Sequence, residues 1–219
     1  MKKKLIIFSI TILTSFLLST LATAYEATFT PTADTWVDST VANDTPAVAN
    51  PQQLFVGHNN NATLKRRSYL RFDLTIPDGL VVESAVLRLY VNKIVGANDD
   101  PIDANFAPDN DAWTRNTLTW NEAINWSTIF ITTNPGPFIS NSWTEWDVLS
   151  AVQSTYLGDK KLTIELKSDE VGSKAAERFF SMAGTYAPQL TVKAVPEPAT
   201  VLLLMTGLMG MGLGRKKLL

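Results

Sequence analysis

The chain has 219 residues, of which 45% are hydrophobic and 18% are charged, and it contains one histidine and no cysteine. The lack of cysteine excludes disulfides, thiol catalysis and cysteine-bound metal, so stability must come from a buried core. All 21 acidic residues lie between residues 25 and 198, which hold only 13 of the 19 basic ones, a formal charge of −8 for that part. This charge disfavours nucleic acid, anionic lipid and polyanionic polysaccharide as purely electrostatic partners, unless a basic patch such as residues 65–67 or a bound cation intervenes.

The N-terminus predicts a signal peptide over residues 1–24. Three lysines precede an apolar stretch at residues 5–21, and the small residues Ala22 and Ala24 follow at the two positions that a signal peptidase reads. We expect signal peptidase to cleave after Ala24. An uncleaved N-terminal anchor is the alternative, because the apolar stretch is long for a signal peptide.

Residues 25–194 follow the period of two that is typical of strands. In 68–74, Leu70, Phe72 and Leu74 alternate with Tyr69, Arg71 and Asp73, and 84–91 repeats the alternation. The turn residues 77–79 separate these two strands. Further strands are predicted at 28–30, 35–38, 54–56, 117–120, 143–146, 162–166, 178–181 and 189–193.

One helix is predicted between Asp147, which can cap it, and Gly158, which can end it in a left-handed conformation. Many short antiparallel strands with Gly, Pro and Asn turns predict an all-β fold. We expect a single antiparallel β-sandwich, a jelly roll, with this one short helix.

An acidic stretch at 98–111 offers the hard oxygen ligands that calcium prefers, although it lacks the spacing of an EF-hand loop. Solvated turn residues are the alternative interpretation, and we expect the least regular structure of the domain here. The candidate ligands of a structural calcium ion are Asp99, Asp100, Asp103, Asp109 and Asp111.

The sequence gives little support to catalysis. His58, in the polar stretch 58–61, is expected to be a solvated turn residue, and a serine triad or a histidine-rich metal centre needs partners that one histidine cannot supply. A glycosidase needs two carboxylates, and Glu122, Glu145 and Asp147 are available, but no motif pairs them. We therefore expect no enzyme activity.

The aromatic residues support sugar binding more strongly than the acids support catalysis. An aromatic face packs against a pyranose ring, and polar groups form hydrogen bonds with the sugar hydroxyls. At least half of the six tryptophans should lie in the core of so small a sandwich. The candidate binding residues are Trp126 and Trp143, together with Tyr69, Tyr90 and Arg88 on the outer faces of strands.

Residues 195–219 form a separate C-terminal segment. Pro196, Glu197 and Pro198 interrupt regular structure before the 16 uncharged residues 199–214. As a helix this run rises about 24 Å, a marginal span for a hydrocarbon core of roughly 30 Å. The cations Arg215, Lys216 and Lys217 would stay on the cytoplasmic side, which leaves the domain outside. A buried C-terminal helix is the alternative.

The strand motifs resemble, in order, those of the DNRLRE domain, which is similar to carbohydrate-binding module family 96. The resemblance implies a jelly-roll β-sandwich that is not catalytic. It also implies that Trp120 and Trp146, which match family positions beside strands, are the first of the core tryptophans. Arg115, where an acidic residue is common, Ser181-Met182-Ala183 and the loop 42–50 depart from the family's pattern, so a metal or sugar contact made by those family residues would be lost. The matching segments are 33–37, 54–57, 67–74, 84–91, 113–114, 118–121, 146–148 and 187–192.

The C-terminal segment resembles the PEP-CTERM sorting signal, through Pro196-Glu197-Pro198, the apolar run and the basic triplet. That resemblance implies processing by an exosortase in a Gram-negative bacterium that makes extracellular polysaccharide. Residues 199–214 would anchor the chain transiently in the inner membrane before its delivery to the cell surface or biofilm matrix.

Together these features predict an exported, matrix-sorted protein whose sandwich binds extracellular polysaccharide. A structural or adhesive matrix protein that acts through protein–protein contacts is one alternative, and a small polysaccharide hydrolase or lyase is another. Exposed coplanar aromatics would favour sugar binding, whereas an apolar patch or an unprotected edge strand would favour assembly. Two close carboxylates with perturbed pKa values in a cleft would favour an enzyme.

Overall fold

A computed structural model of the chain describes residues 24–48, 50–59, 63–96, 100–108, 110–170 and 175–197. The predicted signal peptide up to residue 23, the apolar run 199–214 and the basic triplet 215–217 lie outside the described residues, as do Pro198, Asp99 and Asp109. Within the described ranges, no helix has the length and apolar character needed to cross a membrane.

The described part of the chain consists mainly of antiparallel strands. Two α-helices follow the middle strands, α1 (Trp120–Ala123) and α2 (Leu149–Tyr156), and short 3-10 turns occupy Ser39–Val41 and Pro46–Val48. The strands are β1 (Tyr25–Phe29), β2 (Ala33–Asp38), β3 (Gln53–His58), β4 (Lys65–Asp73), β5 (Leu80–Gly96), β6 (Ile102–Phe106), β7 (Ile129–Asn134), β8 (Ser142–Asp147), β9 (Lys161–Ser168), β10 (Ala175–Phe180) and β11 (Gln189–Pro196).

The chain divides into two compact units. The larger unit, Glu26–Pro77 with Val82–Lys193, holds most of the strands. The described part of the smaller unit includes the turn Asp78–Val81 and the end of β11. In this smaller unit Gly79 has a φ of 76°, and its carbonyl accepts a hydrogen bond of 3.3 Å from the Glu197 amide.

The strands join in the order β1-β11-β5-β10-β3-β4-β9-β6-β7, while β2 pairs with β4 and β8 pairs with β5. Neighbours in this order are mostly distant in sequence, as in sandwiches with Greek-key or jelly-roll connections. The predicted antiparallel β-sandwich is confirmed.

Strand β5 shows the predicted alternation of side chains. Ala85, Leu87, Leu89 and Val91 are buried, whereas the residues between them are half-buried. On the neighbouring strands β8 and β10, Trp146 and Phe179 are buried in contact with each other, with ring centroids 6.1 Å apart. One face of this part of the sheet therefore points to the core, and the other carries polar and aromatic side chains outward.

Strand β4 differs from its prediction, because it is covered on both faces. Leu70 and Phe72 are buried as expected, but Tyr69 on the opposite side is also fully buried. It packs in a cluster with Trp113 and Trp120 from the segment that follows β6. This segment shields the face of β4 that the alternation alone predicts to be solvent-facing.

The strand predicted at 117–120 is wrong, because helix α1 begins at Trp120. Thr119 and Glu122 form a capping box: the Glu122 amide donates to the Thr119 hydroxyl, and the Thr119 amide donates to Glu122 Oε2 at 2.9 Å. Such a box satisfies two backbone donors at a helix start. The capping residues therefore determine the local structure here.

The acidic stretch is more regular than expected, because it contains strand β6. Ile102 and Ala104 are buried, and β6 pairs with β9 on one side and β7 on the other. The Asp and Asn residues that flank β6 favour turns, so its short alternating pattern was not recognised. Strand β7 was not predicted either.

The predicted helix is confirmed as α2, with a different end. The predicted cap is displaced, because Val148 occupies the N-cap position without a side-chain hydrogen bond. Asp147, one residue earlier, accepts a hydrogen bond of 3.0 Å from the Leu149 amide. Gly158 does not adopt the left-handed conformation, which occurs instead at Lys160 with a φ of 63°. The Gly158 amide donates to the Thr155 carbonyl at 3.0 Å, so the helical turn tightens before the chain reverses.

Two neighbouring substitutions on β5 test the register. Leu87→Ala removes a fully buried side chain, and we expect it to lower the free energy of unfolding by about 2 to 5 kcal/mol. Val86→Ala, on the outward face, should cost less than about 1 kcal/mol. Urea unfolding of both variants measures the difference, and equal losses would contradict the register.

Candidate functional site

Four aromatic side chains meet on the outward face of β8, β5 and β10. In the register of β5 with β8, Tyr90 lies opposite Trp143, and the ring centroids are 5.5 Å apart. On the other side of β5, Phe180 from β10 lies 5.8 Å from Tyr90. Tyr186, from the loop after β10, stacks on Tyr90 at 4.2 Å with an interplanar angle of 20°. We call Tyr90, Trp143, Phe180 and Tyr186 the aromatic surface.

The loop that brings Tyr186 onto the sheet depends on a glycine. A Cβ atom at Gly184 would lie 2.6 Å from Cδ1 of Phe180 and 3.0 Å from the carbonyl oxygen of Gln52. The Gly184 amide also closes a turn by donating to the Ser181 carbonyl at 2.9 Å. The absence of a side chain at Gly184 therefore lets the loop lie close enough for Tyr186, which is 44% exposed, to form the outer ring of the surface.

Charged groups flank the aromatic surface. The Arg88 guanidinium lies over the Trp143 ring, 5.0 Å from its centroid. Arg88 Nε lies 3.0 Å from Glu145 Oε1, and the Glu145 side chain is 56% exposed. Aromatic rings beside a guanidinium and a carboxylate are the combination that binds a sugar ring and its hydroxyls.

Of the five predicted binding residues, Trp143, Tyr90 and Arg88 come together in this way, but Tyr69 and Trp126 do not. Tyr69 is fully buried, and its hydroxyl donates to Glu165 Oε1 at 2.7 Å. Trp126 packs against Tyr69, with ring centroids 5.3 Å apart, and is half-buried. The outward position predicted for Tyr69 is wrong because the segment containing Trp113 and Trp120 covers it. Phe180 and Tyr186 were missed.

Comparison with known families shows to which family the chain belongs. Residues 25–194 match carbohydrate-binding module family 96. The chain belongs to this family. Residues 194–217 match the PEP-CTERM protein-sorting motif, which indicates export to the surface or exterior. The family is one of carbohydrate-binding modules, and the motif is a protein-sorting signal. A comparison with curated proteins gives no match.

Two solved structures show weak likeness to this family 96 module. One is described as showing the structural basis for the promiscuous specificity of carbohydrate-binding modules from the β-sandwich superfamily. Its sequence is 12% identical, and the TM-score is 0.23. The match covers 83% of this chain but 59% of the other chain, which is less than two thirds of that chain's length. The other is the K1 cleaved adhesin domain of Lys-gingipain from Porphyromonas gingivalis W83, with 10% identity, coverage of 80% of this chain and 99% of that one, and a TM-score of 0.17.

The predicted basic patch of the module is neutralised by acids. Lys65 Nζ lies 3.0 Å from Glu170, and Arg66 Nε lies 2.9 Å from Asp38. Arg67 contacts Glu170 at 2.6 Å. Burial alone would lower the pKa of the Arg67 guanidinium, but its contact with Glu170 raises that pKa further. These three cations therefore offer little free positive charge to a polyanion.

Two of the three departures from the family pattern, Arg115 and the segment 181–183, meet at one buried cross-link. Burial raises the pKa of Asp34, while the Met182 amide, which donates at 2.5 Å, and the Arg115 guanidinium, which contacts its carboxylate, act in the opposite direction. Arg115 also donates to the Pro51 carbonyl at 2.7 Å, and the Ser181 hydroxyl donates to the same carbonyl. In this module these residues join β2 to two loops.

The described members of the predicted calcium site do not assemble. Asp103 accepts a hydrogen bond of 2.5 Å from the Thr133 hydroxyl, and Asp111 lies 3.5 Å from Lys161 Nζ. Asp100 instead lies beside His58. His58 is buried at the end of β3, where it pairs with Ala175 and Lys65 on the adjacent strands, so its expected role as a solvated turn residue is wrong. Calcium binding stays a prediction.

Each of the three carboxylates considered for catalysis contacts a different partner. Glu122 belongs to the capping box, Glu145 pairs with Arg88, and Asp147 accepts a hydrogen bond from the Leu149 amide. A cavity of about 300 Å³ near α2 contains one carboxylate among its lining residues. These are Ile131, Thr132, Asp147, Leu149, Ser150 and Gln153.

Two arginine substitutions separate the buried cross-link from the aromatic surface. Arg115→Ala leaves the fully buried Asp34 carboxylate without its cation, so we expect a loss of about 3 to 5 kcal/mol in the free energy of unfolding. Arg88→Ala is the matched control, because its partner Glu145 is exposed, and it should cost less than about 1 kcal/mol. Thermal or urea unfolding measures both losses. A larger loss of unfolding free energy in Arg88→Ala than in Arg115→Ala would contradict the prediction.

Proposed function

We propose that this family 96 module binds extracellular polysaccharide on the aromatic surface and does not cleave it. The observation that carries the proposal is the cluster of Tyr90, Trp143 and Tyr186 on a sheet face, flanked by the Arg88–Glu145 pair. Tyr186 stacks on Tyr90, and Trp143 meets Tyr90 edge to face with an interplanar angle of 88°. Sugar rings present C–H faces that aromatic rings bury, and the ion pair supplies a donor and an acceptor for hydroxyls.

The geometry favours binding because strands supply most of the surface. Tyr90, Trp143 and Phe180 lie on β5, β8 and β10, whose backbone positions are fixed by pairing. A preorganised surface loses little conformational entropy when a ligand binds. Tyr186 comes from a loop, and its stacking on Tyr90 adds an exposed ring to this rigid base.

A neutral polysaccharide fits the surface better than a polyanionic one. The part of the chain between residues 25 and 198 carries a formal charge of −8, which repels polyanions at long range. Arg88, the cation beside the aromatic rings, is already paired with Glu145. Uncharged hydroxyl-rich sugars meet no such electrostatic penalty.

The arrangement of acids supports a binding role without turnover. Glycoside hydrolysis needs two carboxylates roughly 5 to 10 Å apart at the scissile bond. In the part of the chain that the structure describes, Glu145 is the carboxylate that pairs with Arg88 beside the aromatic rings. Glu122 belongs to the capping box of α1. Asp147 lies two residues from Glu145 on the same face of β8, and it accepts a hydrogen bond from the Leu149 amide.

We further propose that the module acts at the cell surface or in the biofilm matrix of a Gram-negative bacterium. Signal peptidase would remove residues 1–24, and residues 199–214 would hold the chain in the inner membrane until an exosortase processes it near Pro196-Glu197-Pro198. The match of residues 194–217 to the PEP-CTERM motif supports this route.

A structural or adhesive role is the second candidate, and β7 favours it. This strand ends the order of paired strands, and it exposes Ile129 by 55% and Phe130 by 60%. An exposed apolar edge is a site at which another chain can pair. A register shift between Ala104 and Asn105 of β6, opposite β7, limits regular extension there.

One pair of aromatic substitutions distinguishes the two candidates. In the full chain, purified in detergent, Trp143→Ala should weaken binding to a neutral polysaccharide about 10- to 30-fold, the loss expected for an aromatic anchor. Phe130→Ala is the matched control, because it removes an exposed aromatic ring from β7, and it should leave sugar binding unchanged.

Calorimetry across a panel of neutral and acidic polysaccharides measures sugar binding, and light scattering measures assembly. Absence of binding to every polysaccharide, together with oligomers that Phe130→Ala dissociates, would replace the first candidate with the second. Release of reducing ends or unsaturated products would show that the module is an enzyme.

A further inference from the structure

A histidine and two aspartates come together at the end of β3, away from the aromatic surface. Their ligand atoms, on His58, Asp100 and Asp169, all lie within 4.8 Å of one another. Asp100 lies shortly before β6, and Asp169 directly follows β9. His58 is fully buried as a side chain, Asp100 is 9% exposed and Asp169 is 44% exposed, so the cluster opens to solvent on the Asp169 side.

The orientation of the imidazole determines which nitrogen faces the acids. His58 Nδ1 lies 2.9 Å from the backbone carbonyl oxygen of Asn59. A carbonyl only accepts hydrogen bonds, so Nδ1 carries a proton. In the neutral ring Nε2 then presents its lone pair to the carboxylates, and metal-binding histidines are commonly fixed in this way by a backbone carbonyl.

His58 Nε2 has no hydrogen-bond partner, although it is buried. It lies 3.6 Å from Asp100 Oδ2 and 3.9 Å from Asp169 Oδ1. Both distances are too long for hydrogen bonds. They are close to the separation of roughly 3.4 Å between two atoms that each bind one tetrahedral ion at about 2.1 Å.

Further acidic groups lie near the cluster. Glu177 on β10 is fully buried, and neither of its carboxylate oxygens has a hydrogen-bond partner. It lies two residues from Ala175, the residue that pairs with His58. Burial and the negative charge of Asp100 raise the pKa of Glu177 to about 8, so its carboxyl group is largely protonated at neutral pH.

The nearest described cations of β4 are already paired with another acid. Lys65, which lies opposite His58, contacts Glu170 at 3.0 Å, and Arg67 contacts the same carboxylate at 2.6 Å. Burying ionised acids is unfavourable unless protonation, as at Glu177, or a cation compensates their charge. At Asp100 and Asp169 a cation would also bind the lone pair of His58 Nε2.

We propose that His58, Asp100 and Asp169 bind a divalent transition-metal ion, with Zn²⁺ or Mn²⁺ as the fitting ions. Imidazole nitrogen suits transition metals, whereas calcium is bound by oxygen donors. The ion joins the end of β3 to the start of β6 and the end of β9. In a chain without cysteine, such a structural ion stabilises the fold as a disulfide would.

The test uses the full chain in detergent after removal of metal with a chelator. Titration with Zn²⁺ or Mn²⁺ in a calorimeter should show one ion bound per chain and a higher melting temperature. His58→Asn keeps a donor near the Asn59 carbonyl but lacks Nε2, and it should weaken binding at least about 10-fold. Asp169→Asn should do the same. Asp111→Asn, whose parent acid pairs with Lys161, should bind like the wild type.

Three results would overturn this proposal: no binding of either transition metal up to about 1 mM, equal affinity in wild type, His58→Asn and Asp169→Asn, or tighter binding of Ca²⁺ than of Zn²⁺. Near-ultraviolet circular dichroism of the metal-free variants shows whether they remain folded. If His58→Asn does not fold, Asp169→Asn decides, because its side chain is partly exposed. Polysaccharide binding through Trp143 is measured separately, so either proposal can fail alone.

Discussion

The alternation of side chains along β5 is the constraint on which the fold and the site both depend. Leu87, Leu89 and Val91 point into the core, so Arg88 and Tyr90 between them must point outward. The partner strands follow the same rule, since Trp146 and Phe179 are buried while Trp143 and Phe180 join the aromatic surface. A shift of one residue would exchange the two sets and remove both the core and the surface.

Polar cross-links hold the other part of the sheet. Asp34 and Arg115 tie β2 to the loop at Pro51, and Tyr69 and Arg67 converge on Glu165 of β9. These groups are buried or half-buried, so each depends on its partner for compensation. The cluster around His58 includes buried side-chain atoms that lack such a partner, and its three ligand atoms lie close enough to share one cation.

Sequence reasoning succeeded where local pattern controls structure. The strands β4 and β5, the helix α2 and the outward positions of Trp143, Tyr90 and Arg88 follow from periodicity and turn chemistry. The core positions of Trp120 and Trp146 follow from the family resemblance. It failed where a distant segment changes the environment. Tyr69 is covered by the segment around Trp113, and Tyr186 reaches Tyr90 across almost a hundred residues of sequence.

The metal cluster illustrates the same limit. His58, Asp100 and Asp169 come from three separate parts of the chain, and no spacing motif joins them. Of the described aspartates in the predicted acidic stretch, Asp100 belongs to the cluster. Asp103 instead contacts Thr133, and Asp111 contacts Lys161. The capping box of α1 was readable in Thr119 and Glu122, but the strand-like pattern of 117–120 was given more weight.

The central claim is that polysaccharide binds on the outward face of β5, β8 and β10. Nuclear magnetic resonance of the six tryptophan indole N–H groups during titration with a neutral oligosaccharide tests it most directly. The account predicts that the Trp143 signal shifts while those of the buried Trp120 and Trp146 stay in place. Saturable binding that leaves the Trp143 signal unchanged would contradict it.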